Sequence, residues 1–395
     1  MKPRGAIPAE FQSLPFTFGG RSIEQLLTKS PMFVYDRSVV GNRVARFRAA
    51  FPGVDLHYAV KANPFGPLLD AMAPLVDGFD AASIGEVGRV TNFGKPVSFA
   101  GPGKTNGEIA MAIGAGITIN LESEGEADRA LAFSAEIGEI PQLAVRVNPE
   151  FELRGSGMRM GGRASPFGID AERVPALVKR LIAAGAWWQG FHVFAGSQAL
   201  DTQAIIDSQA HTLDLVARLS DEAGAVPPLV NLGGGFGIPY FPGEQPVDVE
   251  AIGAALVPKL AAFPDTRFAI ELGRWLVGEA GVYLTRVIDR KESRGEIFLV
   301  CDGGLNHQLA ATGNLGTVVR RNYPVAVVSA APDAPTEVVS VVGPLCTPLD
   351  RLADQVELPV AGPGDVIAVF MAGAYGLTAS PWEFLGHPRP AEILT

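Results

Sequence analysis

Eight times between Leu56 and Leu272 a short, near-continuous apolar run gives way to a polar or glycine-rich turn and then to an Ala/Leu-rich stretch of helical spacing. No other feature of the chain limits its fold so strongly. The strand candidates are Tyr58–Lys61, Phe79–Ser83, Val97–Ala100, Ile117–Leu121, Leu143–Val147, Phe191–Phe194, Leu229–Leu232 and Phe268–Leu272. Helix-like runs lie between them, such as Pro67–Leu75, Ile109–Ile113, Gly125–Ala135, Val174–Ala184, Ala204–Ala223 and Val249–Ala262. Strands buried on both faces read as unbroken apolar runs, and strand–helix alternation builds a parallel sheet. Eight such units predict an α/β fold closed into a TIM-like (β/α)8 barrel rather than an open doubly wound sheet.

After Arg274 the rhythm changes. Val282–Val287, Ile297–Val300, Val325–Ser329, Glu337–Val342 and Asp365–Phe370 are strand-like and separated by Gly, Pro and Asp turns, which predicts an antiparallel β domain. The expected division is an N-terminal segment, 1–30, packing with the β domain, a barrel over 31–275 and a C-terminal β domain over 276–395. A strand-like Met32-Phe33-Val34-Tyr35 marks the entry to the barrel region.

With 395 residues, 47% hydrophobic and 19% charged, the chain is long enough for a barrel and an appendage. A net charge of −10 argues against a general nucleic-acid surface and against attraction to an anionic membrane. Two cysteines, Cys301 and Cys346, make no disulfide framework and fit a reducing compartment. Met1 to Gly20 has no apolar signal-peptide core, and no later stretch approaches a membrane span. A soluble, cytoplasmic protein is expected.

In a parallel barrel, function gathers where strands end and βα loops begin. The first strand delivers Lys61 and is stopped at once by Asn63-Pro64. Such a lysine is either a snorkelling surface residue or an amine presented to a pocket for a Schiff base. Asp80 ends the second strand, with Ser83 and Glu86 close behind. Arg146 lies on the fifth, ahead of Asn148-Pro149. The sixth runs His192-Val193-Phe194-Ala195-Gly196-Ser197-Gln198, the seventh empties into Gly233-Gly234-Gly235-Phe236-Gly237, and the eighth ends Glu271-Leu272-Gly273-Arg274.

The glycine run reads either as a plain turn or as a backbone cradle in which consecutive N–H groups approach one phosphate. Phe236 and Pro239 break the dinucleotide spacing, so a single phosphate fits better than a pyrophosphate. Ser197 adds a hydroxyl at a neighbouring strand end. Glu271 is an ordinary solvated carboxylate, half of a surface pair with Arg274, or an acceptor for a protonated ring nitrogen. Such a charge-assisted bond contributes roughly 1.5–3 kcal/mol. Arg146 is either paired in the core or in contact with a cofactor oxygen. A Schiff-base lysine, a monophosphate cradle and a carboxylate for a ring nitrogen together describe pyridoxal 5′-phosphate, and no metal ligand set is expected.

These residues resemble the barrel-type PLP enzymes related to alanine racemase, and within them the ornithine and diaminopimelate decarboxylases. The resemblance is carried by Tyr58-Ala59-Val60-Lys61-Ala62-Asn63, Phe79-Asp80-Ala81-Ala82-Ser83 with Glu86, and Arg146-Val147-Asn148-Pro149. It continues through Gly196-Ser197-Gln198, Gly233 to Gly237, Glu271 to Arg274, Gly343-Pro344-Leu345-Cys346 and Gly373-Ala374-Tyr375. It implies that Lys61 forms the Schiff base and Glu271 holds the pyridine nitrogen. Ser197, Gly233, Gly234, Gly235, Arg274 and Tyr375 would hold the phosphate. It also implies a head-to-tail homodimer in which Cys346 reaches into the partner's barrel and donates a proton to Cα after carbon dioxide leaves.

Three departures from that family stand out. Phe194 occupies the place of a histidine that lies against the ring, while His192 matches a second, earlier histidine on the substrate side. Thr347 follows Cys346 where the family has an acid that reads a distal ammonium, with Asp350 three residues on. After Asp302-Gly303-Gly304 the chain has Asn306-His307-Gln308 instead of an arginine near a substrate carboxylate, and Arg320-Arg321-Asn322-Tyr323-Pro324 comes later. The segments around Cys346 and Arg320 are similar to a branch that includes decarboxylases of glutamate tethered to an acyl-carrier protein and relatives associated with exosortase systems. The implied activity is α-decarboxylation of an acidic or carrier-tethered amino acid, with substrate contacts from His192, Arg320, Arg321, Thr347 and Asp350. The competing expectations are a diaminopimelate decarboxylase of lysine biosynthesis, an amino acid racemase, and an inactive homologue that binds a partner. Cys346 in the decarboxylase pattern ranks the racemase lower, retained Lys61, Glu271 and Cys346 argue against the inactive homologue, and Thr347 in place of an acid argues against diaminopimelate.

Overall fold

The chain is described here by a computed structural model covering residues 1–395 apart from 14, 154, 156, 160, 314–320 and 332. Eight parallel strands close on themselves in the order of the chain: Asp55–Ala59, Gly78–Ala81, Val97–Phe99, Thr118–Leu121, Gln142–Asn148, Trp187–Val193, Leu229–Asn231 and Arg267–Leu272. The last strand returns to the first through Glu271 opposite His57 and Leu272 opposite Tyr58. All eight expected strands are present, within a few residues of the ends read from the sequence. The first stops at Ala59, so Lys61 sits on a single 3-10 turn, Val60–Ala62, just past the strand.

Five of the outer helices start on side-chain caps that reach three residues ahead. Ser83, Thr105, Ser123, Asp201 and Asp248 each accept the backbone N–H three residues on, satisfying donors that the first helical turn leaves unpaired. One helix was not anticipated. Arg37–Ala50 precedes the first strand and buries Val39, Val40, Val44 and Phe47. It fills the place of the eighth outer helix, because the segment after the last strand, Arg274–Val277, makes barely one turn before the chain leaves the barrel. Its seat is close: a Cβ added to Gly253, on Val249–Leu256, would lie 2.0 Å from the Ala50 carbonyl oxygen.

The second sheet has eight strands, in the order Val325–Val327, Val366–Val369, Gly281–Ser293, Glu296–Cys301, Thr336–Val342 and Arg351–Pro359, with Met32–Tyr35 and Ala391–Leu394 added at Gly281–Ser293. Two details depart from expectation. The sheet is mixed, because Glu296–Cys301 runs parallel to Thr336–Val342 and Met32–Tyr35 runs parallel to Ala391–Leu394. Met32–Tyr35 is not a barrel element; it pairs antiparallel with the start of Gly281–Ser293. The N-terminal segment lies on this sheet too, with Phe11 and Phe18 against Phe370 at ring separations of 5.9 and 6.3 Å. No helix among the described residues is long and apolar enough to cross a membrane.

The tight seat of Gly253 reverses an ordinary expectation. Gly→Ala in a helix interior normally stabilises by about 1 kcal/mol. Gly41→Ala, in the same helix pair but with nothing within 4 Å of the added methyl, should do so. Gly253→Ala should instead destabilise, by roughly 1–3 kcal/mol from overpacking. Denaturant melts of the two variants should therefore move in opposite directions.

Candidate active site

The strand ends meet in one pocket, lined among others by Lys61, Phe194, Ser197, Gly235, Glu271, Arg274 and Tyr375. Lys61 Nζ lies 3.3 Å from Asp80 Oδ2 and 5.8 Å from the centre of the Phe194 ring. Asp80 is fully buried, and its second oxygen accepts from the Ser98 hydroxyl at 3.3 Å. Burial alone would lower the Lys61 pKa, but Asp80 and Glu271 outweigh it and hold the amine above its ordinary value. Asp80 itself is pushed upward by burial and by the nearby Glu271 carboxylate.

Glu271 is 4% exposed at the end of the eighth strand. Asn231 Nδ2 donates to its Oε2 at 3.0 Å, and His192 Nε2 lies 3.1 Å from the same oxygen. Burial works to raise this carboxyl, yet His192, Lys61 and Arg146 prevail and keep it well below the ordinary carboxylate range. A carboxylate held negative at the floor of a pocket is suited to a protonated heterocyclic nitrogen.

The glycine run is fixed by backbone packing. Added Cβ atoms would come 2.5 Å from Val193 O at Gly233, 1.8 Å from Glu271 O at Gly234 and 2.2 Å from Gly196 O at Gly235, and Gly233 and Gly235 have φ of +70° and +86°. The three glycines are not equivalent. Gly233 N–H donates to Asn231 Oδ1 at 2.9 Å, so it is not the free phosphate donor that the run suggested. The N–H groups of Gly234 and Gly235 have no acceptor among the described residues. Arg274 adds further donors. Its Nη1 donates to Tyr240 OH at 2.9 Å, its Nε is buried without a partner, and its guanidinium lies 4.6 Å from the Tyr375 ring centre. Orphaned amides beside an orphaned guanidinium nitrogen make a place for an oxyanion. Tyr375 comes from the loop after Val366–Val369, held by its N–H to Ala62 O at 2.8 Å with φ of +52°.

Several expected site residues have other partners. Arg146 Nη1 donates to Glu122 Oε1 at 2.8 Å, and its guanidinium carbon lies 6.0 Å from the centre of the Phe194 ring. His192 is 2% exposed, and its Nε2 lies 3.1 Å from Glu271 Oε2, so it is packed on that carboxylate. Asp350 is buried, and its carboxylate accepts from the amides of Leu305 at 2.6 Å and Leu345 at 2.9 Å; it clasps two loops and leaves no free acid for a ligand. Glu86 accepts the Ala82 N–H while its own N–H goes to the Ser83 hydroxyl, which ties both to the start of a helix. Cys346 is exposed and Thr347 half-buried; neither lines the pocket of its own chain. Arg321 pairs with Glu244 at 3.1 Å and stacks 3.7 Å over Phe241, while Arg320 lies outside the described residues.

Asn231 was not anticipated. It follows the apolar pair Leu229-Val230, and a lone amide at a buried strand end was its only signal. No group of three or more metal-ligating side chains occurs among the described residues.

The family described as pyridoxal-dependent decarboxylase, pyridoxal binding domain, matches residues 37–278, which span the whole barrel. The chain belongs to this family. It is a PLP-dependent amino acid decarboxylase, and pyridoxal 5′-phosphate is its cofactor. The L-glutamyl-[BtrI acyl-carrier protein] decarboxylase of Niallia circulans is 34% identical over 380 residues, 93% of this chain and 89% of that one. The diaminopimelate decarboxylase of Archaeoglobus fulgidus is 33% identical over 93% of this chain and 88% of its own. The solved diaminopimelate decarboxylase of M. jannaschii in complex with L-lysine superposes with a TM-score of 0.87 at 27% identity, covering 100% of this chain and 93% of that one.

A decarboxylase whose free lysine is held as an ammonium should take up cofactor faster as pH rises, because only the neutral amine is a nucleophile. The visible band that appears on adding PLP to apo-protein should form more quickly through the alkaline range. Asp80→Asn removes the nearest negative charge, lowers the Lys61 pKa and should shift that rate profile to lower pH. Borohydride reduction and peptide mapping should find the label on Lys61. An unshifted profile would show that Asp80 does not control the amine.

Proposed function

We propose that this decarboxylase acts on an acidic or carrier-tethered amino acid, a glutamyl thioester in particular. One observation carries the reading: the loop after Cys346 offers no free acid. Thr347 stands next to the cysteine, and both oxygens of Asp350 are engaged by backbone amides. A distal ammonium would find no carboxylate there. Similarity to a decarboxylase of L-glutamate on an acyl-carrier protein supports the same substrate class.

Bound pyridoxal 5′-phosphate supplies the sink for the electron pair freed when the Cα–carboxylate bond breaks. Lys61 would present the amine that holds the cofactor. Glu271, kept negative by His192, Lys61 and Arg146 and held in place by Asn231, would accept a hydrogen bond from the protonated ring nitrogen. Gly234 and Gly235 offer their free amides to the phosphate, with Ser197, Arg274 and Tyr375 beside them, while Gly233 shapes the loop. Phe194 gives the ring an apolar face that neither titrates nor accepts a proton. The enzyme works as a head-to-tail homodimer in which the partner subunit's Cys346 protonates Cα. The exposure of Cys346 and its place outside its own chain's pocket support that arrangement. Two free cysteines fit a cytoplasmic setting.

Two experiments test this. Carbon dioxide release should be efficient from a carrier-bound glutamyl thioester. For free lysine, ornithine and meso-diaminopimelate it should fall by about a hundredfold or more in kcat/KM, since an unpaired buried ammonium costs several kcal/mol. Efficient turnover of meso-diaminopimelate would return the chain to the diaminopimelate branch. For the dimer, Cys346→Ala should cut kcat by ~10²–10⁴-fold and leave PLP binding intact. Mixing Lys61→Ala with Cys346→Ala subunits should restore about a quarter of wild-type activity, because half the dimers are mixed and one of their two sites is whole. No recovery with exchanging subunits would place the proton donor elsewhere.

A further inference from the structure

Arg274 is gripped on a side of the molecule that the reaction chemistry does not touch. Its Nη1 donates to the hydroxyl of Tyr240 at 2.9 Å, and the Tyr240 ring lies 5.5 Å from the guanidinium carbon. Tyr240 is 4% exposed, five residues beyond the glycine run. Its ring packs on Tyr323 of the β domain at 4.7 Å between centres and 32° between planes. Phe241 meets Tyr323 edge-on at 5.5 Å, and Arg321 stacks over Phe241. The Glu244 carboxylate closes the cluster, accepting the N–H groups of Tyr240 and Phe241 at 3.0 and 3.1 Å and pairing with Arg321.

We propose that Tyr240 is a positioning residue for the cofactor phosphate: its hydroxyl aims the Arg274 guanidinium, and the Tyr323 ring of the β domain holds Tyr240 in place. The inference rests on Arg274 being a phosphate ligand. A guanidinium with one N–H already directed to a fixed acceptor loses less freedom when an anion arrives, so the anion binds more tightly. Burial pushes the Tyr240 hydroxyl above its ordinary pKa. It therefore stays a neutral phenol and orients the arginine without neutralising it.

The test compares PLP with pyridoxal, which lacks the phosphate, as ligands of the apo-protein. Tyr240→Phe removes only the hydroxyl and should raise the PLP dissociation constant roughly tenfold, the scale of one charge-assisted hydrogen bond, while leaving pyridoxal affinity unchanged. Arg274→Gln should show the same selectivity with a larger loss. The double variant should lose little more than Arg274→Gln alone, because the hydroxyl acts through the guanidinium. Equal weakening of both ligands in Tyr240→Phe would mean general damage and overturn the proposal. So would unchanged PLP affinity in Tyr240→Phe when Arg274→Gln is selective, a result that leaves Arg274 as a phosphate ligand. If Arg274→Gln does not discriminate the two ligands, the phosphate role of Arg274 falls and the role of Tyr240 falls with it.

Discussion

A closed ring of hydrogen bonds at the ends of the seventh and eighth strands holds the rest of the site in register. Asn231 Nδ2 donates to the Glu271 carboxylate, Gly233 N–H donates to Asn231 Oδ1, and Glu271 N–H donates to Gly233 O. One asparagine thus sets both the position of the buried carboxylate and the entry angle of the glycine loop. From Gly235 the constraint passes to the sixth strand's exit, where Ala199 N–H donates to Gly235 O at 2.9 Å. Buried polar groups without partners are costly, so this ring leaves little freedom. The buried carboxylate and the glycine loop are thus fixed by one set of three residues, Asn231, Gly233 and Glu271.

Charge at the mouth follows from the same packing. Two buried carboxylates, Asp80 and Glu271, would repel each other without Lys61 between them and His192 beneath. Farther round the rim, Lys104 is 4% exposed and bonded to Glu126, while Glu122 takes Arg146, Gly101 N–H and Gly168 N–H. Buried ion pairs contribute little net stability, and their desolvation is offset only when every lone pair is used. Each of these carboxylates accepts three hydrogen bonds, and together they tie the ends of the third, fourth and fifth strands to one another. The result is a rigid positive and negative pattern, into which a covalently held cofactor would fit without reorganisation.

The strands were legible because burial on both faces leaves an apolar run that needs no knowledge of partners. The helix Arg37–Ala50 was hidden, since four arginines are interleaved with its buried valines and Phe47 and blur the apolar stripe. Arg351–Pro359 was hidden by the polar residues along it, and its pairing with Thr336–Val342 is set by distant contacts. In the site, Lys61, Asp80, Glu271 and Arg274 could be read from their places at strand ends. What the sequence could not display was who answers whom. Asp350 reads as a free acid until the amides of Leu305 and Leu345 are seen to occupy it, and Gly233 reads as a donor until Asn231 takes its N–H. Partner choice lives in tertiary packing, which brings together residues far apart in the chain, such as Asp350 with Leu305 and Arg146 with Glu122.

The β domain is more than a companion to the barrel. Asn63, two residues after Lys61, donates its side-chain amide to Gly373 O at 2.9 Å, and Tyr375 returns an N–H to Ala62 O at 2.8 Å. Tyr58 closes the junction by donating its hydroxyl to Asn63 O. The turn bearing the lysine is therefore clamped on both sides by a loop of the other sheet. That loop carries two non-glycine residues in the left-handed region, Met371 and Tyr375, a conformation of order 1–3 kcal/mol less favourable that persists only where surroundings impose it. Here the surroundings are the barrel mouth. With φ near +52°, Tyr375 sends its amide to the lysine turn while its ring centre lies 4.6 Å from the Arg274 guanidinium. The turn bearing Lys61 and the Arg274 side chain are thereby tied to one another through a single loop of the second sheet.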